Sequence, residues 1–230
     1  LAAAGADLIE VGFPYSDPIA DGPVIQSSYT RALNNKLKLK EIFAAVGSVS
    51  REVETPLLAM VSYALIFRSG PAEFVRQAVE AGFCGLIVPD LPGDEAGEFA
   101  QLTKSAGLAL VQLVAPTTPA QRLAGILEHA SGFVYCIAVA GTTGARDALP
   151  VDLTNMLAQL RAQTKLPLAV GFGVSRPEQV RDLRGRADGA IVGSALVKCL
   201  DPGSQPAVDV PTVTAQLRQL ATELATAAHG

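Results

Sequence analysis

The stretch 71–114, PAEFVRQAVEAGFCGLIVPDLPGDEAGEFAQLTKSAGLALVQLV, contains two successive passages from helix to strand, and their order decides the fold. Pro71 suits the first turn of a helix, where its missing N–H is not needed, and Gly82 suits the end, so the segment predicts a helix over 71–81. An apolar strand over 85–89 follows. A helix from about 93 to 105 and a strand over 108–114 repeat the pattern. Strands that are apolar at nearly every position are buried on both faces, the condition of a parallel sheet covered by helices.

The same rhythm runs outward in both directions. Strands are expected over 7–11, 57–62, 133–139, 168–172 and 189–192, and helices over 26–34, 38–53, 119–130, 151–164, 176–183, 194–200 and 210–228. Units of roughly 20 to 30 residues without a GxGxxG fingerprint favour a (β/α)8 TIM barrel, an α/β fold, over a doubly wound nucleotide-binding sheet. The whole chain, 1–230, reads as a single barrel domain that is N-terminally incomplete. Only seven strands are counted, residues 1–4 read as the tail of a helix closed by Gly5, and the chain opens without Met, so the first βα unit is expected to precede Leu1. Were it absent altogether, two unpaired edges would be a liability for stability and aggregation.

Composition narrows the function. Lys and Arg number 18 against 22 Asp and Glu, a net charge of −4 with no basic cluster, which argues against nucleic acid as a partner. Cys84, Cys136 and Cys199 are widely spaced in apolar surroundings, and are expected to be buried thiols in a reducing compartment. The two histidines, His129 and His229, have no ligand-like neighbours in sequence, so no metal is assigned. No apolar run reaches the roughly 20 residues that cross a bilayer, and no signal peptide is seen, so a cytoplasmic location is expected.

The chemistry is expected in EVGFPYSDPIADGP, residues 10–23. Glu10 interrupts the apolar residues Leu8, Ile9 and Val11 at a strand end, and burial there raises a carboxyl's pKa toward the range useful for proton transfer. The residues alone leave a second reading equally open, a structural Glu held by a backbone amide or an ion pair. Asp21 follows in the loop, while Asp17, beside Pro18, suits a loop-shaping Asx residue. Three glycine sites fall on successive strand ends: Gly141 to Gly144, Gly171 to Gly173, and Gly193 with Ser194 opening a helix. Backbone N–H groups converging from such loops can hold a phosphate without Lys or Arg.

The string Glu-x-Gly-x-Pro-x-Ser-Asp-Pro-x-Ala-Asp-Gly-Pro resembles the signature of the tryptophan synthase alpha subunit family, and the likeness extends along nearly the whole chain. The resemblance implies a lyase of tryptophan biosynthesis that cleaves indole-3-glycerol phosphate by a retro-aldol reaction to indole and glyceraldehyde 3-phosphate. It puts the catalytic pair on Glu10 and Asp21, the first as acid at indole C3 and also as base, the second on the indole N–H. Phosphate contacts fall on Thr143, Gly144, Gly171, Gly173, Gly193 and Ser194; Tyr135, Phe172, Ile25 and Met60 match the indole pocket, where ordinary core packing is the competing reading. No cofactor is implied in this chain, pyridoxal phosphate belonging to a beta subunit partner in an alpha2beta2 assembly. Departures are the run Ser62-Tyr63-Ala64-Leu65, where the family carries an Asn and a Pro, and Val139, where some members carry an Arg. Asp90 matches an Asp that contacts the family's mobile loop. A stand-alone lyase releasing free indole and a non-catalytic phosphate-binding barrel remain as alternatives.

Overall fold

The computed structural model describes residues 1–18, 21–137, 151–171, 173–201 and 209–230, with the backbone alone at Val151. Seven parallel strands lie side by side in chain order: β1 (Ile9–Gly12), β2 (Leu57–Met60), β3 (Phe83–Ile87), β4 (Ala109–Val114), β5 (Val134–Ile137), β6 (Leu168–Gly171) and β7 (Gly189–Ala190). Ten helices connect or follow the described strands: α1 (Pro23–Asn34), α2 (Leu39–Val49), α3 (Tyr63–Ser69), α4 (Pro71–Glu80), α5 (Gly97–Ser105), α6 (Ala120–Glu128), α7 (Val151–Gln163), α8 (Pro177–Arg181), α9 (Ser194–Cys199) and α10 (Val210–His229). This is the curled wall of a (β/α) barrel. Its edges are β1 and β7, and among the described residues neither edge has a partner on its outer side.

Side chains alternate across the wall, as strand geometry requires. Leu57, Ala59, Leu86 and Leu110 point outward and meet Phe43, Phe74 and Phe99 from the helices. Farther along, Val134, Cys136, Leu168 and Val170 pack on Leu153, Leu157 and Leu160 of α7. The inward set is Leu58, Ile87 and Val111, with Leu8, Met60, Leu113, Phe133 and Tyr135 against it. Glu10 pairs in register with Leu58 and so belongs to the inward set, while its neighbours Ile9 and Val11 pack on the outer cluster. A carboxyl is thereby carried into the barrel.

The last helix ties the two ends of the wall together. α10 packs on α8, α9 and the 3-10 turn Ala2–Ala4 that leads into β1. Arg184 donates from Nη2 to the carbonyl of Ala227 at 2.8 Å, and His229 Nε2 lies 2.9 Å from the Asp7 carboxylate. His229 thus pairs with a carboxylate 222 residues away in sequence.

Two expectations change. Cys84 is exposed and Cys199 half-exposed; only Cys136 is a buried thiol, because Cys84 stands on the one exposed position of β3. α1 starts at Pro23, three residues early, since proline at the first turn gives up nothing. The segment after β2 is a helix, α3: Ser62 Oγ accepts from the Ala64 amide and donates to Asp90 Oδ2 at 2.6 Å, and the Tyr63 amide donates to Asp90 Oδ1 at 2.7 Å.

Just past β1, Phe13 is fully buried against the rings of Phe43, Phe74 and Phe83, with centroids 5.4, 5.8 and 5.9 Å away. It anchors the start of the carboxylate loop. Phe13→Ala should destabilise the fold by about 3–5 kcal/mol through lost burial and a cavity; urea unfolding measures it, and a loss below about 1 kcal/mol contradicts this packing role.

Candidate active site

Glu10 faces the barrel interior two residues before Gly12, the C-terminal residue of β1, above Leu8 on the same face. Burial raises its carboxyl from the ordinary 4.5 to about 7. The alternative of a structural Glu held by an amide or an ion pair finds no support: among the described residues its side chain makes neither. Desolvation acts without a compensating partner, so both protonation states are populated near neutral pH.

Asp21 comes from the loop between β1 and α1. Its amide donates to the Pro18 carbonyl at 3.1 Å, closing a turn, and Gln26 Nε2 donates to the Asp21 carbonyl at 2.7 Å, folding the loop onto α1. Its carboxyl is only partly desolvated and is raised by burial alone. Asp17 is exposed. The two carboxylates thus differ in setting, which lets them hold different protonation states.

Tyr135 rises from β5 across the interior from β1. Burial, then the negative charges of Glu10 and Asp21, push its phenol upward, so the three groups share one space. Its ring rests on Gly171 at the end of β6: a Cβ there would lie 2.9 Å from Cε1 and 3.0 Å from Oη. Met60, on the inward face of β2, joins the same apolar lining. Ile25 is half-buried in the first turn of α1 and is not part of that lining.

At the ends of β6 and β7 the backbone is open. Among the described residues, Gly173 has φ +79° with nothing within 4 Å of a Cβ position, and Gly193, which precedes the first residue of α9, Ser194, is equally clear. Thr143, Gly144 and Phe172 lie outside the described residues, as does Val139. Asp90 is engaged with Ser62 and the Tyr63 amide.

Two residues that the sequence did not single out belong to this mouth. Tyr29 of α1 is buried, and its hydroxyl sits over Gly12, where a Cβ would approach it to 2.7 Å. Its ring meets Tyr15, with centroids 5.7 Å apart. The only signal in the chain is Gly12 two residues after Glu10, on the same strand face.

A family model described as Tryptophan synthase alpha chain matches residues 1–229. The chain belongs to that family. It is 48% identical over 198 residues to the tryptophan synthase alpha chain of Rhodopirellula baltica, covering 85% of this chain and 71% of that one. With the alpha chain of Carboxydothermus hydrogenoformans the identity is 47% over 201 residues, 87% and 75% of the two chains. Among solved structures, the tryptophan synthase α2β2 complex of Pyrococcus furiosus contains a chain that matches with TM-score 0.86 at 40% identity, covering 94% of this chain and 86% of that one. Subunit alpha from Legionella pneumophila matches with TM-score 0.87 at 34% identity, covering 98% and 83%. The tryptophan synthase alpha fold expected from the signature in residues 10–23 is thus the fold observed.

Among the described residues no group of three or more His, Cys, Asp or Glu could hold a metal ion, and no helix is long and apolar enough to cross a membrane. The raised Glu10 pKa carries a consequence for stability. Between pH 4.5 and about 7 the folded chain keeps a proton that the unfolded chain has released, so stability falls as pH rises through that window. Glu10→Gln cannot ionise and should be more stable than the parent above neutrality, by up to about 3 kcal/mol, with no gain near pH 4. Thermal or urea unfolding at the two pH values measures the difference; equal stabilities at both would contradict a desolvated Glu10.

Proposed function

We propose that Glu10 and Asp21 perform the retro-aldol cleavage of indole-3-glycerol phosphate in this member of the tryptophan synthase alpha family. The chain is a carbon–carbon lyase of tryptophan biosynthesis, releasing indole and glyceraldehyde 3-phosphate and working as the alpha subunit with a beta subunit. One observation carries the assignment of residues: a carboxyl with a pKa of about 7 on the inward face of β1, in the same space as Asp21 and Tyr135.

In the cleavage, indole C3 gains a proton, the glycerol hydroxyl loses one, and its C–O becomes the aldehyde as the electrons of the C–C bond return to the ring. Glu10, populated in both forms at neutral pH, gives the proton to C3 and takes the one from the hydroxyl. Asp21 accepts a hydrogen bond from the indole N–H and stabilises the positive charge that the ring develops. Tyr135, Phe172 and Met60 line the indole site. The phosphate is held by the amides of Gly171, Gly173, Gly193 and Ser194 with Thr143 and Gly144, a reading supported by the clear space over Gly173 and Gly193. No cofactor enters this half-reaction, pyridoxal phosphate acting in the beta subunit, and the location is cytoplasmic.

The experiment is indole release from indole-3-glycerol phosphate, by the chain alone and with a tryptophan synthase beta subunit added. Turnover that rises sharply with the partner is expected; turnover indifferent to it favours a stand-alone lyase, and none in either case overturns the reading. Glu10→Gln should lower kcat by about a hundred- to ten-thousandfold with KM little changed. Gly193→Asp should do the reverse, raising KM by placing a negative charge against the phosphate while kcat is kept. An unchanged KM in that variant sinks the phosphate assignment.

A further inference from the structure

Among the described residues, one side chain holds the turn that carries Asp21. Gln26 stands near the start of α1, where its amide donates to the Gly22 carbonyl at 3.0 Å and its carbonyl accepts from Thr30 Oγ1 at 2.9 Å, so the helix fixes its backbone. From there Nε2 donates to the Asp21 carbonyl at 2.7 Å and to the Pro18 carbonyl at 3.3 Å, while the Asp21 amide closes the turn on Pro18 at 3.1 Å. Both N–H groups of the side-chain amide are thereby used, one at each end of the turn. Among the described residues no other hydrogen bond ties Pro18 or Asp21 to the body of the protein.

We propose that Gln26 is the positioning residue for Asp21: its amide clamps Pro18 and Asp21 to α1 and so sets where the Asp21 carboxylate stands in the barrel mouth. Asp21 is the member of the pair that needs a clamp. Glu10 is aimed by the register of β1 on β2, whereas Asp21 comes from a loop. The helix that carries the clamp is itself anchored, by Tyr29, which is buried, and by Arg31, whose guanidinium meets Asp201, two residues past α9, at 3.1 Å. Only glutamine meets the requirement at this position. Asparagine is one methylene shorter, leucine has the bulk without the donors, and glutamate would set acceptor oxygens against two carbonyls and add a negative charge beside Asp21.

This inference rests on the proposed function for the task of Asp21, which is to accept the indole N–H, and its test reads the clamp separately from turnover. In the parent and in Gln26→Leu, hydrogen exchange of the Asp21 amide is followed by NMR, and binding is titrated with indole, with benzofuran, which carries an oxygen in place of the N–H, and with inorganic phosphate. Loss of the clamp should speed Asp21 exchange about tenfold, shrink the preference for indole over benzofuran about threefold or more, and leave phosphate binding unchanged. In turnover, kcat should fall on the order of tenfold in the parent background and no further in Asp21→Asn, because Gln26 acts only through Asp21. Parental Asp21 exchange together with the parental indole preference in Gln26→Leu overturns the proposal. Faster Asp21 exchange in the variant, with a parent that binds indole and benzofuran alike, supports the clamp and counts against the lyase role of Asp21 instead.

Discussion

Burial of one carboxyl on the inward face of β1 is the constraint on which the site depends. A strand walled on both sides must send every second residue inward, and Leu8, Glu10 and Gly12 are that series. The apolar surroundings that make the wall stable deny Glu10 its hydration, and its pKa rises to about 7 as a direct result. Reactivity and packing are therefore one fact seen twice. The aromatic cluster around Phe13, just beyond the strand, fixes where the chain leaves the wall and so where the loop with Asp21 begins.

Glycines complete the arrangement by what they lack. Gly12 admits the hydroxyl of Tyr29 and Gly171 admits the ring of Tyr135, so two phenols reach the space above Glu10 from different sides of the barrel. Neither carboxylate in the mouth has a described cation beside it, so burial raises both pKa values with no ion pair to offset it. Such a site costs stability at neutral pH, the usual relation between a reactive group and the fold that contains it.

Much of this could be read from the chain. The apolar runs of β2, β3 and β4 announce parallel strands whatever surrounds them, and a Glu inside such a run announces itself too. Harder to read were features that depend on distant partners. α3 exists because Ser62 and the Tyr63 amide meet Asp90, 28 and 27 residues away, and nothing local to 62–65 says so. Cys84 is exposed because of where β3 sits in the wall, which an apolar neighbourhood in sequence does not reveal. The reach of Tyr29 to Gly12 is set by how α1 docks, and no spacing along the chain encodes it. Family membership, by contrast, was carried by one contiguous string whose chemistry and order both matter.

The most direct measurement is the ionisation of Glu10 itself. Infrared difference spectra of the protonated carboxyl band across a pH titration, with Glu10→Gln as the assignment control, report it without substrate or partner. A band belonging to Glu10 that disappears with a midpoint near pH 7 is predicted. A midpoint near the ordinary 4.5 would mean that Glu10 is solvated, and would contradict the assignment of a proton-transferring acid to this strand.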